Sequence, residues 1–182
     1  MMIKYEVITI SSSGGIIRPK KILARLHVEK GDTVTFIETP TGIEITAYNP
    51  EFDEEMTLAR KVMGDYHNAL KKLAQHGGLS GLWDEALLAS ALARPQNLAA
   101  YEHPSPGLCA AAYVFGIVRN HPFNDGNKRT GFIIAVTFLL LNGFYINASE
   151  ADVVLVIMQL ADGSLTEEAL ALWFEEVIVL SS

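Results

Sequence analysis

The chain has 182 residues, 49% of them hydrophobic, and carries 14 Lys and Arg against 21 Asp and Glu for a net charge of −7. That apolar content suffices for one ordinary domain or two small ones, and a single cysteine excludes an internal disulfide framework. The apolar run from Gly131 to Leu141 is too short to span a bilayer, and the N-terminus shows no secretory pattern, so a cytoplasmic protein without membrane attachment is expected.

Charge divides the chain in two. Residues 1–50 hold six Lys or Arg against five Asp or Glu, and the remainder eight against sixteen, so the acidic part is not a nucleic-acid binder. In the first part, Tyr5, Val7, Ile16 and Ile17 bracket a Ser-Ser-Ser-Gly-Gly turn, and Pro19 opens a short helix to Leu26. Val34 and Phe36 then alternate before a turn at Pro40 to Gly42. The pattern is β-hairpin, short helix, β-hairpin. Arg18, Lys20, Lys21, Arg25 and Lys30 face a single acid, Glu29, which makes either a patch for phosphate or a solvated helix face. The run ITISSSGGIIRPKKILARLHVEKGDTVTFIETPTGIEI resembles the AbrB/MazE swapped-hairpin family of DNA-binding antitoxins. The resemblance implies an intertwined homodimer, because four short strands cannot close a core alone. It also implies DNA contact by Arg18, Lys20, Lys21 and Arg25. Residues 1–50 are therefore expected to form a DNA-binding and dimerisation domain.

Between Glu54 and Gln75, Met56, Ala59, Val62, Met63, Tyr66, Leu70 and Leu73 recur every three or four residues, the spacing of an amphipathic helix. Gly64 costs that helix roughly 1 kcal/mol relative to Ala, which packing can offset. The stretch LARKVMGDYHNALKKLA resembles the C-terminal arm of antitoxins paired with Doc toxins, so residues 51–75 read as an antitoxin-like helix or linker. Such a helix either completes the domain that follows or covers its site.

Beyond it, Trp83 and Trp173 are expected in a helical core. A helix is expected to end near Ala93, with Asn97 and Tyr101 after it bordering a target groove or serving as cap and packing residues. Leu108 to Asn120 has helical apolar spacing, and Cys109 among alanines reads as a buried structural thiol. Pro122 stops that helix, so His121 sits at its end. Asn124, Asp125, Gly126 and Asn127 are turn and N-cap formers, and an apolar helix follows to Leu141. The free N–H groups at its start make an anion seat to which Lys128 and Arg129 add charge. Asp125 suits a divalent metal and His121 can take a proton from a hydroxyl, which together make a phosphoryl or nucleotidyl transfer kit. His27, His67, His76 and His103 lack ligand spacing and read as surface or cap residues.

HPFNDGNKRTG resembles the signature of the Fic/Doc family, and HGGLSGLWDEALLASALARPQNLAAYE resembles its Doc branch; the likeness covers residues 76–182. It implies an all-α fold there, so the whole chain is expected to be α+β in two parts, a small swapped-hairpin β domain followed by a helical one. The resemblance implies His121 as general base, Mg2+ on Asp125, and Asn127, Lys128 and Arg129 on the phosphates of ATP in the loop that Gly126 completes. Phe123 would anchor that loop. Lys128 stands where adenylyl-transferring members carry Gly, which implies Doc-type transfer of the γ-phosphate to a protein hydroxyl, with a threonine of elongation factor Tu as the implied target. Pro122 and Gly126 are Fic-like, so adenylylation stands as the alternative. No Glu precedes Gly or Asn, so the family's usual inhibitory motif is missing. Antitoxin and toxin would then be fused, as a restrained enzyme or as a silent DNA-binding autorepressor.

Overall fold

A computed structural model describes residues 7–10, 13–16, 20–39, 42–74, 81–101 and 103–181. The chain is mostly helical and divides into two compact units, Met1–Phe52 and Asp53–Ser182.

In the first unit β1 (Val7–Ile10) pairs antiparallel with β2 (Ser13–Ile16), and β3 (Val34–Thr39) with β4 (Gly42–Ala47). The expected Ser-Ser-Ser-Gly-Gly turn is in part strand. Ser13, Gly14 and Gly15 are ladder positions opposite Ile10, Thr9 and Ile8. Helix α1 (Lys20–Leu26) ends on His27 in the left-handed region, φ 54°, with Val28 N–H donating to Leu23 O at 3.0 Å. His27 is thus a helix cap. Asp32 Oδ2 accepts from Glu29 N–H at 2.8 Å and closes the Lys30–Gly31 turn.

The second unit is built around α5 (Pro106–Asn120), which is buried along most of its length. Ser105 caps it by accepting from Leu108 N–H at 3.2 Å, and Pro106 at the first helical position needs no N–H partner. Helix α6 (Asn127–Leu141) packs Phe132, Ala135, Val136 and Leu139 into the same core, and α7 (Glu150–Asp162) adds Val153, Ile157 and Leu160. Helix α8 (Glu167–Val177) adds Leu170 and Phe174, with Trp173 packed partly buried against the core. The unit is not purely helical as expected. β5 (Phe144–Ile146) pairs antiparallel with β6 (Ile178–Leu180), and bonds from Asn147 N–H to Val177 O and from Ser181 N–H to Gly143 O extend that ladder at both ends. Strands of three residues lie below what hydrophobic alternation can signal.

The single helix expected over Glu54–Gln75 is two, α2 (Pro50–Asp65) and α3 (His67–Leu73), with a bend at Tyr66. The Tyr66 ring meets Phe132 edge-on at 5.1 Å and its hydroxyl donates to Ile146 O at 3.3 Å. Val62, Leu70 and Leu73 are buried in the core of the second unit. Each such side chain contributes roughly 1.5–3 kcal/mol, which outweighs the cost of Gly64. The second unit therefore starts at Asp53, whereas the sequence resemblance to the Fic/Doc family began at residue 76.

Helix α4 (Glu85–Tyr101) runs through Pro95 rather than ending near Ala93. Pro95 has no N–H for the Ala91 carbonyl. At that level Ala91 is fully buried against Gly116 of α5, where an added Cβ would stand 3.0 Å from Ala91 Cα and O. Tertiary packing holds the helix together across the proline. Asn97 is consequently an exposed helical residue and Tyr101 the last residue of α4. Trp83 is 73% exposed, not a core residue, because the loop before α4 lies on the surface. Among the described residues no helix is long and apolar enough to cross a membrane.

Candidate active site

The loop between α5 and α6 is shaped by its own residues. Helix α5 closes on His121, which is left-handed at φ 50° and whose N–H donates to Ile117 O at 3.3 Å. Pro122 is buried, and its carbonyl accepts from Trp83 N–H at 2.7 Å and Asp84 N–H at 3.1 Å. Asn124 N–H donates to Gly81 O at 3.1 Å. The segment before α4 thus runs beside the loop and holds it. Phe123, the expected anchor, is half-buried, and its bridge to Leu82 and its backbone bonds tie it down.

Asn127 is the internal brace. It is 6% exposed; its Oδ1 accepts from Phe123 N–H at 3.0 Å and its Nδ2 donates to Phe123 O at 2.8 Å. Those two opposed bonds fix which way the amide points. Nδ2 also lies 3.3 Å from His121 Nδ1. An amide nitrogen only donates, so Nδ1 accepts and the neutral imidazole carries its proton on Nε2. The Asn127 side chain, expected on phosphate, is occupied within the loop. Only its backbone N–H, at the start of α6, is free to meet an anion.

Asp125 Oδ1 accepts from Gly126 N–H at 2.6 Å, and Oδ2 faces Arg129 Nη2 at 3.3 Å. Gly126 is left-handed at φ 82°, and a Cβ there would come within 3.3 Å of Arg129 Nη2. Glycine therefore serves both the turn and the seating of the guanidinium. Arg129 Nε is buried and has no hydrogen-bond partner among the described residues. A guanidinium one turn inside a helix N-terminus is suited to an incoming oxyanion.

Asp125, Gly126, Arg129 and Thr130 line one side of a cavity of about 440 Å³, and Met63, His67, Leu70 and Lys71 from α2 and α3 line the other. That size falls within the usual range for ligand pockets. His121 is exposed and Lys128 half-buried, and neither is among the lining residues. Of the residues named from the sequence, the structure brings Asp125, Gly126 and Arg129 together at the cavity, with His121 and Asn127 linked beside them. His67, expected as a surface or cap residue, is exposed, and its place with Lys71 along the cavity is what the sequence reading did not foresee. Their i, i+4 spacing puts them on one helix face but does not say what that face meets.

Of the DNA-binding candidates, Arg18 and the side chains of Lys20 and Lys21 lie outside the described residues, as does His76. Arg25 is exposed in the last turn of α1.

Residues 47–139 match the Fic/DOC family, and the chain belongs to it. It is 42% identical over 79 residues to "Toxin Doc" of Mycolicibacterium smegmatis, covering 42% of this chain and 60% of that protein. It is 36% identical over 72 residues to "Protein kinase doc" of Escherichia phage P1, covering 39% of this chain and 57% of that protein. The chain thus spans somewhat over half the length of these curated relatives. The family match begins near the start of α2, in agreement with the packing of α2 and α3 into the second unit.

Proposed function

We propose that the second unit is a Doc-type protein kinase that transfers the γ-phosphate of ATP to a protein hydroxyl, with elongation factor Tu as the expected target. The observation that carries this reading is Arg129, which lines a cavity of ligand size beside the N-terminus of α6 and pairs there with Asp125. The names of the two Doc relatives support it.

Arg129 and the first N–H groups of α6 would hold phosphate oxygens and neutralise charge as the γ-phosphate leaves the bridging oxygen. His121 would accept the proton of the target hydroxyl as the new P–O bond forms, and ADP would depart. The ring's basic lone pair is on Nδ1, so Asn127 must release its 3.3 Å contact there while keeping its 2.8 Å bond to Phe123 O. Asp125 fits a magnesium ion. No group of three His, Cys, Asp or Glu set for a metal occurs among the described residues, so a single carboxylate would share the ion with phosphate and water, as Mg2+ commonly is shared. Bound there, magnesium would supply charge neutralisation on the phosphates.

The first unit would be a DNA-binding, antitoxin-like homodimerisation part. In support, Phe36 and Ile43 of the β3–β4 hairpin are 62% and 67% exposed, apolar surface that an intertwined partner would cover. Arg18, Lys20, Lys21 and Arg25 would face DNA phosphate. A protein of this type would work in the cytoplasm.

Adenylyl transfer is the second reading, favoured by Pro122 and by Gly126, which caps the α6 N-terminus in the left-handed conformation. The deciding experiment is the intact mass of elongation factor Tu after incubation with magnesium-ATP and the full chain, beside a His121→Ala variant. One added phosphate that the variant fails to add supports the kinase; an added AMP supports the second reading. With neither, and with sequence-specific retardation of its own promoter DNA, the chain would be a silent autorepressor.

A further inference from the structure

We infer that Lys71, supplied by α3 from outside the signature loop, binds the phosphate chain of the nucleotide together with Arg129. The inference rests on the nucleotide-binding reading above and adds a residue that the motif does not contain.

Lys71 of α3 and Arg129 of α6 both line the same 440 Å³ cavity. Among the described residues Asp125 is the one carboxylate in that lining, and it is already matched by Arg129 through the 3.3 Å ion pair. Lys71 therefore leaves the cavity with an excess positive charge, to which the N-terminal end of α6 adds its dipole. Among the described residues Lys71 makes no ion pair. A ligand carrying several negative charges matches such a wall, and a triphosphate is of that class.

The backbone beneath Lys71 is fixed. Leu70 and Leu73 are buried on either side of it, and Tyr66 and Glu150 tie the start of α3 to the core. A lysine on so firmly docked a helix keeps its ammonium within reach of the cavity. Lys72 carries the same charge but does not line the cavity; it lies toward Glu150 and favours that residue's ionised form. The two adjacent lysines separate a site effect from a general charge effect.

The test is calorimetric titration of magnesium-ATP and of adenosine into the full chain carrying His121→Ala, which stops turnover, and into the same chain with Lys71→Met or Lys72→Met added. The expected result is about tenfold weaker ATP binding for Lys71→Met, with adenosine binding unchanged, and a change within about twofold for Lys72→Met. Lys71 is exposed, so its melting temperature should match that of the parent. Equal ATP affinity in the parent and Lys71→Met would overturn the inference while leaving the nucleotide reading intact, and equal weakening by both lysine variants would also overturn it. A parent that binds no ATP would overturn both.

Discussion

Asn127 bonds the Phe123 peptide on both of its polar sides, accepting from its N–H at 3.0 Å and donating to its carbonyl at 2.8 Å. A buried amide thus replaces the ladder partner that an irregular loop lacks, and its third contact reaches the His121 ring. Asn127→Ala leaves the Phe123 groups unsatisfied and frees the imidazole. The expected cost is about 2–3 kcal/mol of stability, read from denaturant melts. Phosphotransfer should nonetheless fall at least about tenfold in the same variant, because the loop that places His121 and the start of α6 loses its brace. Unchanged transfer would show that the loop keeps its shape without Asn127.

Gly126→Ala places a methyl group where φ is 82° and where Arg129 Nη2 lies 3.3 Å away. The left-handed strain alone costs roughly 1 kcal/mol. The methyl group also makes the guanidinium give way by a few tenths of an ångström, so ATP affinity should drop further than stability does. Parallel titration and thermal melts check this; a loss of stability with full affinity would mean that Arg129 is not a phosphate ligand.

Glu150 supplies the cap that Tyr66 does not. Its Oε2 accepts from Ala69 N–H at 2.6 Å and its Oε1 from Asn68 Nδ2 at 3.1 Å. The backbone bond from Ala69 first, and the Asn68 side chain next, hold its carboxyl below the ordinary value of 4.5. Because the folded value is depressed, the stabilisation is complete above the ordinary carboxyl range and disappears as the pH falls through the lower folded value. The melting-temperature difference between the unsubstituted chain and Glu150→Gln should therefore be constant near neutrality and close on acidification through that window. A gap that widens with falling pH would contradict the capping role.

Cys109 is buried in α5, and burial raises its thiol pKa. The thiolate is the reactive form, so the native chain should resist iodoacetamide at neutral pH and take up one label only after denaturation. Mass spectrometry before and after unfolding distinguishes this from rapid native labelling, which would mark an accessible thiol.

The signature loop was legible because its determinants are local. Pro122 ends a helix wherever it stands, glycine is the natural residue for the turn at 126, and an apolar run after Asn127 makes a buried helix. His121, Asp125 and Arg129 therefore fall close together by chain connectivity alone. The hairpin, helix and hairpin order of residues 7–47 was legible for the same reason, since hairpins and short helices pair near neighbours.

What the tertiary structure decided lies where partners are distant in sequence. The cap on α3 comes from Glu150, 81 residues beyond Ala69. β5 finds β6 across α7 and α8, and α4 survives Pro95 because Ala91 packs on Gly116. The apolar stripe at Val62, Leu70 and Leu73 marked a buried face but could not name the surface it would meet. Only packing against α6 and α7 sets α3 beside the signature loop, because periodicity records which side of a helix avoids water and carries no information about the polar side chains that face a cavity.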